Sequence, residues 1–88
     1  MFYYVYILQS NKDNSLYIGY THDLKNRVQK HNRGESQFTH SRVPYKLIFY
    51  EAFLREVDAK NRETYFKSGW GFRSIKKLLP SLKINSKK

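Results

Sequence analysis

Eighty-eight residues carrying 17 Lys+Arg against 7 Asp+Glu give a formal net charge of +10, and the chain contains no cysteine. That length leaves room for one domain, and the missing thiols exclude a disulfide framework or a thiolate metal site. The charge excess says little about fold but draws polyanions, nucleic acid foremost, through an attraction that salt weakens.

The elements are read in chain order. Residues 2–9 are aromatic and β-branched, with Phe2, Tyr4, Tyr6 and Leu8 on one face and Tyr3, Val5 and Ile7 on the other. Two apolar faces suit a central strand covered on both sides. The same apolar run is too short for a membrane helix and lacks signal-peptide flanks, so a soluble cytoplasmic protein is expected. Asn11 to Ser15 is turn chemistry, and Leu16 to Tyr20 reads as the returning strand of a hairpin. If Tyr6 lies opposite Tyr17, a four-residue loop joins the strands and both phenols share a face. A slip of one residue would separate them, and sequence alone does not fix the register.

Thr21 is a suitable N-cap for a helix running to about Asn32, with Gly34 just past its end. At about 100° per residue, Leu24, Val28 and His31 fall on one stripe, bordered by Arg27. A polar loop spans 34–44. A third strand covers 45–53, with Leu47, Phe49 and Ala52 or Phe53 facing inward and Ile48 and Tyr50 on the other side. A second helix is expected over about 55–68, its sparse stripe made of Ala59 and Phe66 with Glu63 at the edge. Gly69-Trp70-Gly71 interrupts it, and a third helix over about 72–79 stops before Pro80. The order β-β-α-β-α-α describes an α+β fold: a small three-stranded, largely antiparallel sheet flanked by helices. Residues 1–80 form the domain and 81–88 a basic, mobile tail.

The residues able to act on a phosphodiester are Tyr6, Tyr17, Arg27, His31 and Glu63. Such hydrolysis needs a base to activate water, cations to meet developing charge, and help for the leaving oxygen. A phenol ionises near pH 10 and is a poor base unless nearby cations favour phenolate. The arginine fork can grip a phosphate, or snorkel along the core. His31 suits proton handling, or a buried ring bonded to a backbone carbonyl. Glu63 suits a hard cation that keeps water and phosphate ligands, or an i,i+4 pair with Lys67. His22 and His40 read as surface residues. Trp70 could stack a base, but its size points rather to anchoring the helix junction against the core. No zinc cluster, phosphate-binding glycine loop or Ser-His-Asp arrangement is visible.

Together these residues resemble the GIY-YIG nuclease family, which includes the nuclease module of the UvrC repair subunit and small bacterial endonucleases. Tyr4-Val5-Tyr6 stands where the family has Gly-Ile-Tyr, and Tyr17-Ile18-Gly19 matches the second motif letter for letter. Arg27, His31 and Glu63 follow in order at family-like spacing, over nearly the whole chain. The resemblance implies a DNA endonuclease linked to repair or recombination, with RNA as another target. Mg²⁺ or Mn²⁺ would be held singly by Glu63, Tyr6 would be base or water-orienting phenol, Tyr17 its assistant and Arg27 the charge stabiliser. Gly19 would let the second strand approach closely. Two departures stand out: Tyr4 replaces a glycine, and neither Asn61 nor Asn85 matches the family's late asparagine. With no room for a separate recognition domain, sequence specificity would be low or come from a protein partner or a homodimer.

Overall fold

The computed structural model describes residues 1–83; Asn85 and most of the expected tail lie outside the described residues. The elements are β1 (Tyr3–Ser10), β2 (Leu16–Thr21), α1 (Leu24–Asn32), a one-turn 3-10 segment (His40–Arg42), β3 (Tyr45–Phe53), α2 (Glu56–Phe66) and α3 (Gly69–Leu78). This is the α+β order expected from the sequence. The strands form one sheet in the order β2-β1-β3, with β1 antiparallel to both neighbours.

As its doubly apolar pattern requires, β1 is central, and every residue from Val5 to Ser10 is buried. Val5 and Ile7 enter an apolar cluster with Ala59, Phe66 and Ile75, contributed by α2 and α3. Tyr6 and Leu8 enter a second cluster on the opposite face, where Leu24 and Val28 of α1 pack with Tyr45, Val43 and Tyr17.

The hairpin register differs from the direct Tyr6–Tyr17 pairing. Tyr6 opposes Gly19, and Tyr17 opposes Leu8. The offset is two residues, so both phenols keep the same face. The strand runs on to Ser10 because polar residues at its end find specific partners. The Gln9 amide donates to the Lys83 carbonyl at 2.6 Å, and the Ser10 hydroxyl donates to that of Arg42 at 2.6 Å. Residues 11–14 make the turn, closed by the Ser10 N–H donating to the Ser15 carbonyl at 2.8 Å, with Asn14 at φ 64°, a left-handed value that asparagine tolerates. Leu82 also packs against the apolar cluster, so the chain beyond Pro80 begins by lying on the domain.

Four further expectations are corrected. Thr21 closes β2, and the N-cap of α1 is Asp23, whose carboxylate accepts from the Asn26 N–H at 3.2 Å; the Thr21 hydroxyl instead accepts from the Asp23 N–H. A bulge between Ile7 and Leu8 inserts Ile48 into β3 as an extra residue. Leu47, Tyr50 and Ala52 therefore pair with the Tyr6 face of β1, while Ile48, Phe49 and Phe53 pack on the Val5–Ile7 side. Gly69-Trp70-Gly71 does not interrupt the helices but forms the first turn of α3, capped by the Ser68 hydroxyl, which accepts from the Gly71 N–H at 3.1 Å. Trp70 does not anchor the junction, being 71% exposed. Gly71 makes the close approach in its place: a Cβ there would collide with the Tyr65 carbonyl and the Phe66 backbone.

Candidate active site

The Tyr6 face of the sheet, covered by α1, brings together most of the residues that sequence reasoning selected. Gly19 permits this. A Cβ at that position would lie 2.5 Å from the Tyr6 hydroxyl oxygen and 3.2 Å from the Tyr17 ring. The first contact is too short for a side chain and the second is tight, so glycine lets the Tyr6 phenol lie across β2, as the close-approach reading expects. The Tyr6 and Tyr17 ring centroids are 6.3 Å apart, and Tyr17 stands 4.8 Å from the His31 ring.

His31 is buried at the end of the α1 stripe. Its Nε2 lies 3.0 Å from the Tyr6 hydroxyl and its Nδ1 lies 2.8 Å from the Thr39 hydroxyl. Both ring nitrogens thus bond side-chain hydroxyls and neither bonds a backbone carbonyl. Burial, then the charges of Arg27 and Lys30, hold His31 below the usual imidazole range. The ring is therefore neutral near pH 7, with one N–H and one acceptor nitrogen. When Nδ1–H donates to Thr39, Nε2 is free to receive the phenol proton. Thr39 is fully buried and completes this chain of hydrogen bonds. Sequence reasoning missed it: it is one of several hydroxyl residues in a polar loop, and only the need of a buried histidine for a second partner hints at it.

Tyr6 does not have the lowered pKa that a cationic site suggests. Burial pushes its phenol up first, and the neighbouring Tyr17 adds to this. The Arg27 guanidinium beside it favours phenolate, while the Glu63 charge opposes it. Burial wins because the Tyr6 side chain is wholly excluded from solvent. Arg27 itself is exposed on α1, a long flexible cation next to a closed phenol.

Glu63 reaches the same region from α2, near enough for its charge to be felt at Tyr6. Its side chain is 19% exposed and pairs with Lys67 at 3.1 Å. The neighbouring residue has a different part: Arg62 makes a two-pronged pair with Glu51 at 2.8 and 3.2 Å and lies over the Phe66 ring, tying α2 to β3. Among the described residues no group of three or more His, Cys, Asp or Glu side chains could hold a metal. A lone, mostly covered carboxylate paired only with a lysine fits a hard divalent ion that takes its remaining ligands from water and substrate phosphate. His22 and His40 are exposed, as expected. No helix among the described residues is long and apolar enough to cross a membrane.

The three-stranded antiparallel sheet with its flanking helices is the α+β arrangement expected from the sequence. Residues 2–72 match the GIY-YIG catalytic domain, and the chain belongs to the GIY-YIG family of nuclease domains. It is 46% identical over 77 residues to the UPF0213 protein YazA of Bacillus subtilis, covering 86% of this chain and 76% of that one. It is 45% identical over 65 residues to a UPF0213 protein of Clostridium perfringens, covering 73% of this chain and 69% of the relative. Among solved structures it is similar to the solution NMR structure of a UPF0213 protein from Bacillus halodurans. That match has a TM-score of 0.51 and 36% identity, and covers 98% of this chain and 89% of the other.

Proposed function

We propose that this protein is a metal-dependent DNA endonuclease of low intrinsic sequence specificity, acting in the cytoplasm on structured or damaged DNA in repair or recombination. The observation that carries the reading is the Tyr6–His31–Thr39 chain of hydrogen bonds, with the Arg27 and Glu63 charges both felt at the phenol. Packing alone would be met by a phenylalanine at position 6. A phenol bonded to a neutral imidazole is instead a proton route.

Binding of a phosphate draws the flexible Arg27 fork from the phenol to the phosphate oxygens, where it offsets developing charge. In one concerted step the Tyr6 oxygen takes a proton from the attacking water as its own proton passes to His31 Nε2, with Nδ1–H donating to Thr39, so no free phenolate forms. The water oxygen bonds to phosphorus as the bond to the leaving sugar oxygen breaks, that oxygen takes a proton from solvent, and His31 returns its proton to solvent. Tyr17, half-exposed beside His31, orients the water or phosphate. Glu63 would hold Mg²⁺ or Mn²⁺, which supplies charge neutralisation at the phosphate and the leaving oxygen. Lys67 gives up its ion pair when that ion binds.

A second reading, a nucleic-acid-binding domain with little or no cleavage, is favoured by one specific pair of facts: Tyr6 is closed to solvent, and Glu63 is occupied by Lys67. The two readings separate on a panel of labelled duplex, nicked, flapped, branched and single-stranded DNAs with Mg²⁺ or Mn²⁺. Wild type should cut at least one of them, and Glu63→Ala should bind that DNA but leave it intact. Binding without cutting across the panel would select the second reading.

A further inference from the structure

Trp70 is the single tryptophan of the chain, and it lies outside both apolar clusters. Its exposure follows from the helix junction. Gly71 and Ile75 form the buried face of α3, with Gly71 pressed against the end of α2. At about 100° per residue, that contact turns Trp70, Arg73 and Lys77 onto the outward face. The Arg73 guanidinium stands 5.0 Å from the indole centroid and covers part of the ring, yet Trp70 remains 71% exposed. An indole this exposed leaves a broad aromatic face free to stack against a partner.

The surroundings say which contact. No Asp or Glu follows Glu63 in the chain, whereas Lys67, Arg73, Lys76 and Lys77 do follow. Arg73, Lys76 and Lys77 are all exposed on α3, and Lys76 lies 5.6 Å over the Phe72 ring. An aromatic face ringed by cations, with no acidic neighbour on its own helix, matches an unpaired base and its flanking phosphates better than a protein surface. The position is also close to the candidate site. Lys67 pairs with Glu63, and three Cα–Cα steps of about 3.8 Å put Trp70 within about 11 Å of the Lys67 backbone. A few nucleotides of an unstacked strand span that interval.

We propose that Trp70, with Arg73 beside it, is a stacking platform for an unpaired base next to the cleaved phosphodiester, so that the substrate carries a single-stranded segment there. This inference rests on the nuclease reading for its link to cleavage, but it can be read without cleavage. Because Trp70 is the sole tryptophan, its emission reports on this one place. Short oligothymidylate and a blunt duplex of equal length are titrated into metal-free protein at low salt, with affinity measured in parallel by anisotropy of labelled DNA. The single strand should quench the indole emission and the duplex should do so far less. Trp70→Ala should weaken single-strand binding roughly five- to hundred-fold, and Trp70→Phe should recover part of the loss. Unchanged emission on binding, with Trp70→Ala at wild-type affinity, overturns the platform and leaves the nuclease reading standing. Absence of any DNA binding by wild type removes both. Self-association that Trp70→Ala abolishes, with DNA affinity intact, assigns the surface to a second copy of the chain and also overturns the proposal.

Discussion

The two faces of β1 bury their side chains to opposite ends. Val5 and Ile7 enter an apolar cluster with Ala59, Phe66 and Ile75. Tyr6, one residue away and equally excluded from solvent, meets His31 and through it Thr39. A strand alternates its side chains with a period of two, so adjacent residues can be given wholly to stability and to chemistry. The division costs core on the Tyr6 side, where polar groups replace hydrocarbon and every one must find a partner. They do: among the described residues no buried side-chain nitrogen or oxygen lacks a hydrogen bond. α2 packs on the apolar face. Ala59 and Phe66 close that cluster, and Glu63, between them in sequence, lies near enough for its charge to push the Tyr6 phenol up slightly.

The comparison breaks most visibly at Ile7. Ile7→Ala removes fully buried methyl groups from the apolar face and should cost about 2–5 kcal/mol of folding stability, measured by urea unfolding. Cleavage per folded molecule should stay near wild type, since no polar partner is disturbed. A folded variant that loses activity in proportion would show that the faces are not separable.

A smaller effect sharpens the other face. His31 titrates lower in the folded chain than its ordinary value of 6.5, chiefly through burial. Below about pH 6.5 the unfolded chain takes up a proton that the folded chain resists. Stability therefore falls as the pH drops from that point toward the folded value, and it is fully present above it. Unfolding curves of wild type and Ile7→Ala should share this slope, because the titrating ring is on the Tyr6 side. In His31→Gln the slope across that window should vanish. Its persistence there would assign the acid sensitivity to other groups.

How far the sequence carries this account varies by residue. The central position of β1 is legible because both of its faces are apolar, and the shared stripe of Leu24, Val28 and His31 follows from helical period alone. The hairpin register is not legible, since it depends on Gln9 and Ser10 finding the Lys83 and Arg42 carbonyls far along the chain. Nor is the bulge at Ile48, because an extra residue in β3 leaves its composition unchanged. Trp70 misleads for a physical reason: its size argues for burial, but the close contact goes to glycine, and the indole is turned outward. Of the candidate site, the residue types and their order were visible. The Thr39 link and the closure of Tyr6 from solvent were not, because both arise from how the 34–44 loop and β2 fold over the ring.

The central claim is that the Tyr6 phenol accepts the proton of the attacking water. Its most direct test is the single-turnover cleavage rate of the preferred DNA as a function of pH, in wild type and in Tyr6→Phe, at saturating Mn²⁺. Tyr6→Phe deletes one oxygen and keeps the ring, so folding and DNA binding should be largely retained. Because His31 must be neutral to take the phenol proton and titrates below its ordinary 6.5, the wild-type rate should rise with pH through the acidic range and level off above about pH 6.5. The variant should be slower by roughly 10²–10⁴-fold and should lose that rise. A Tyr6→Phe protein that cuts at the wild-type rate with the wild-type profile would contradict the account and leave Tyr6 as packing.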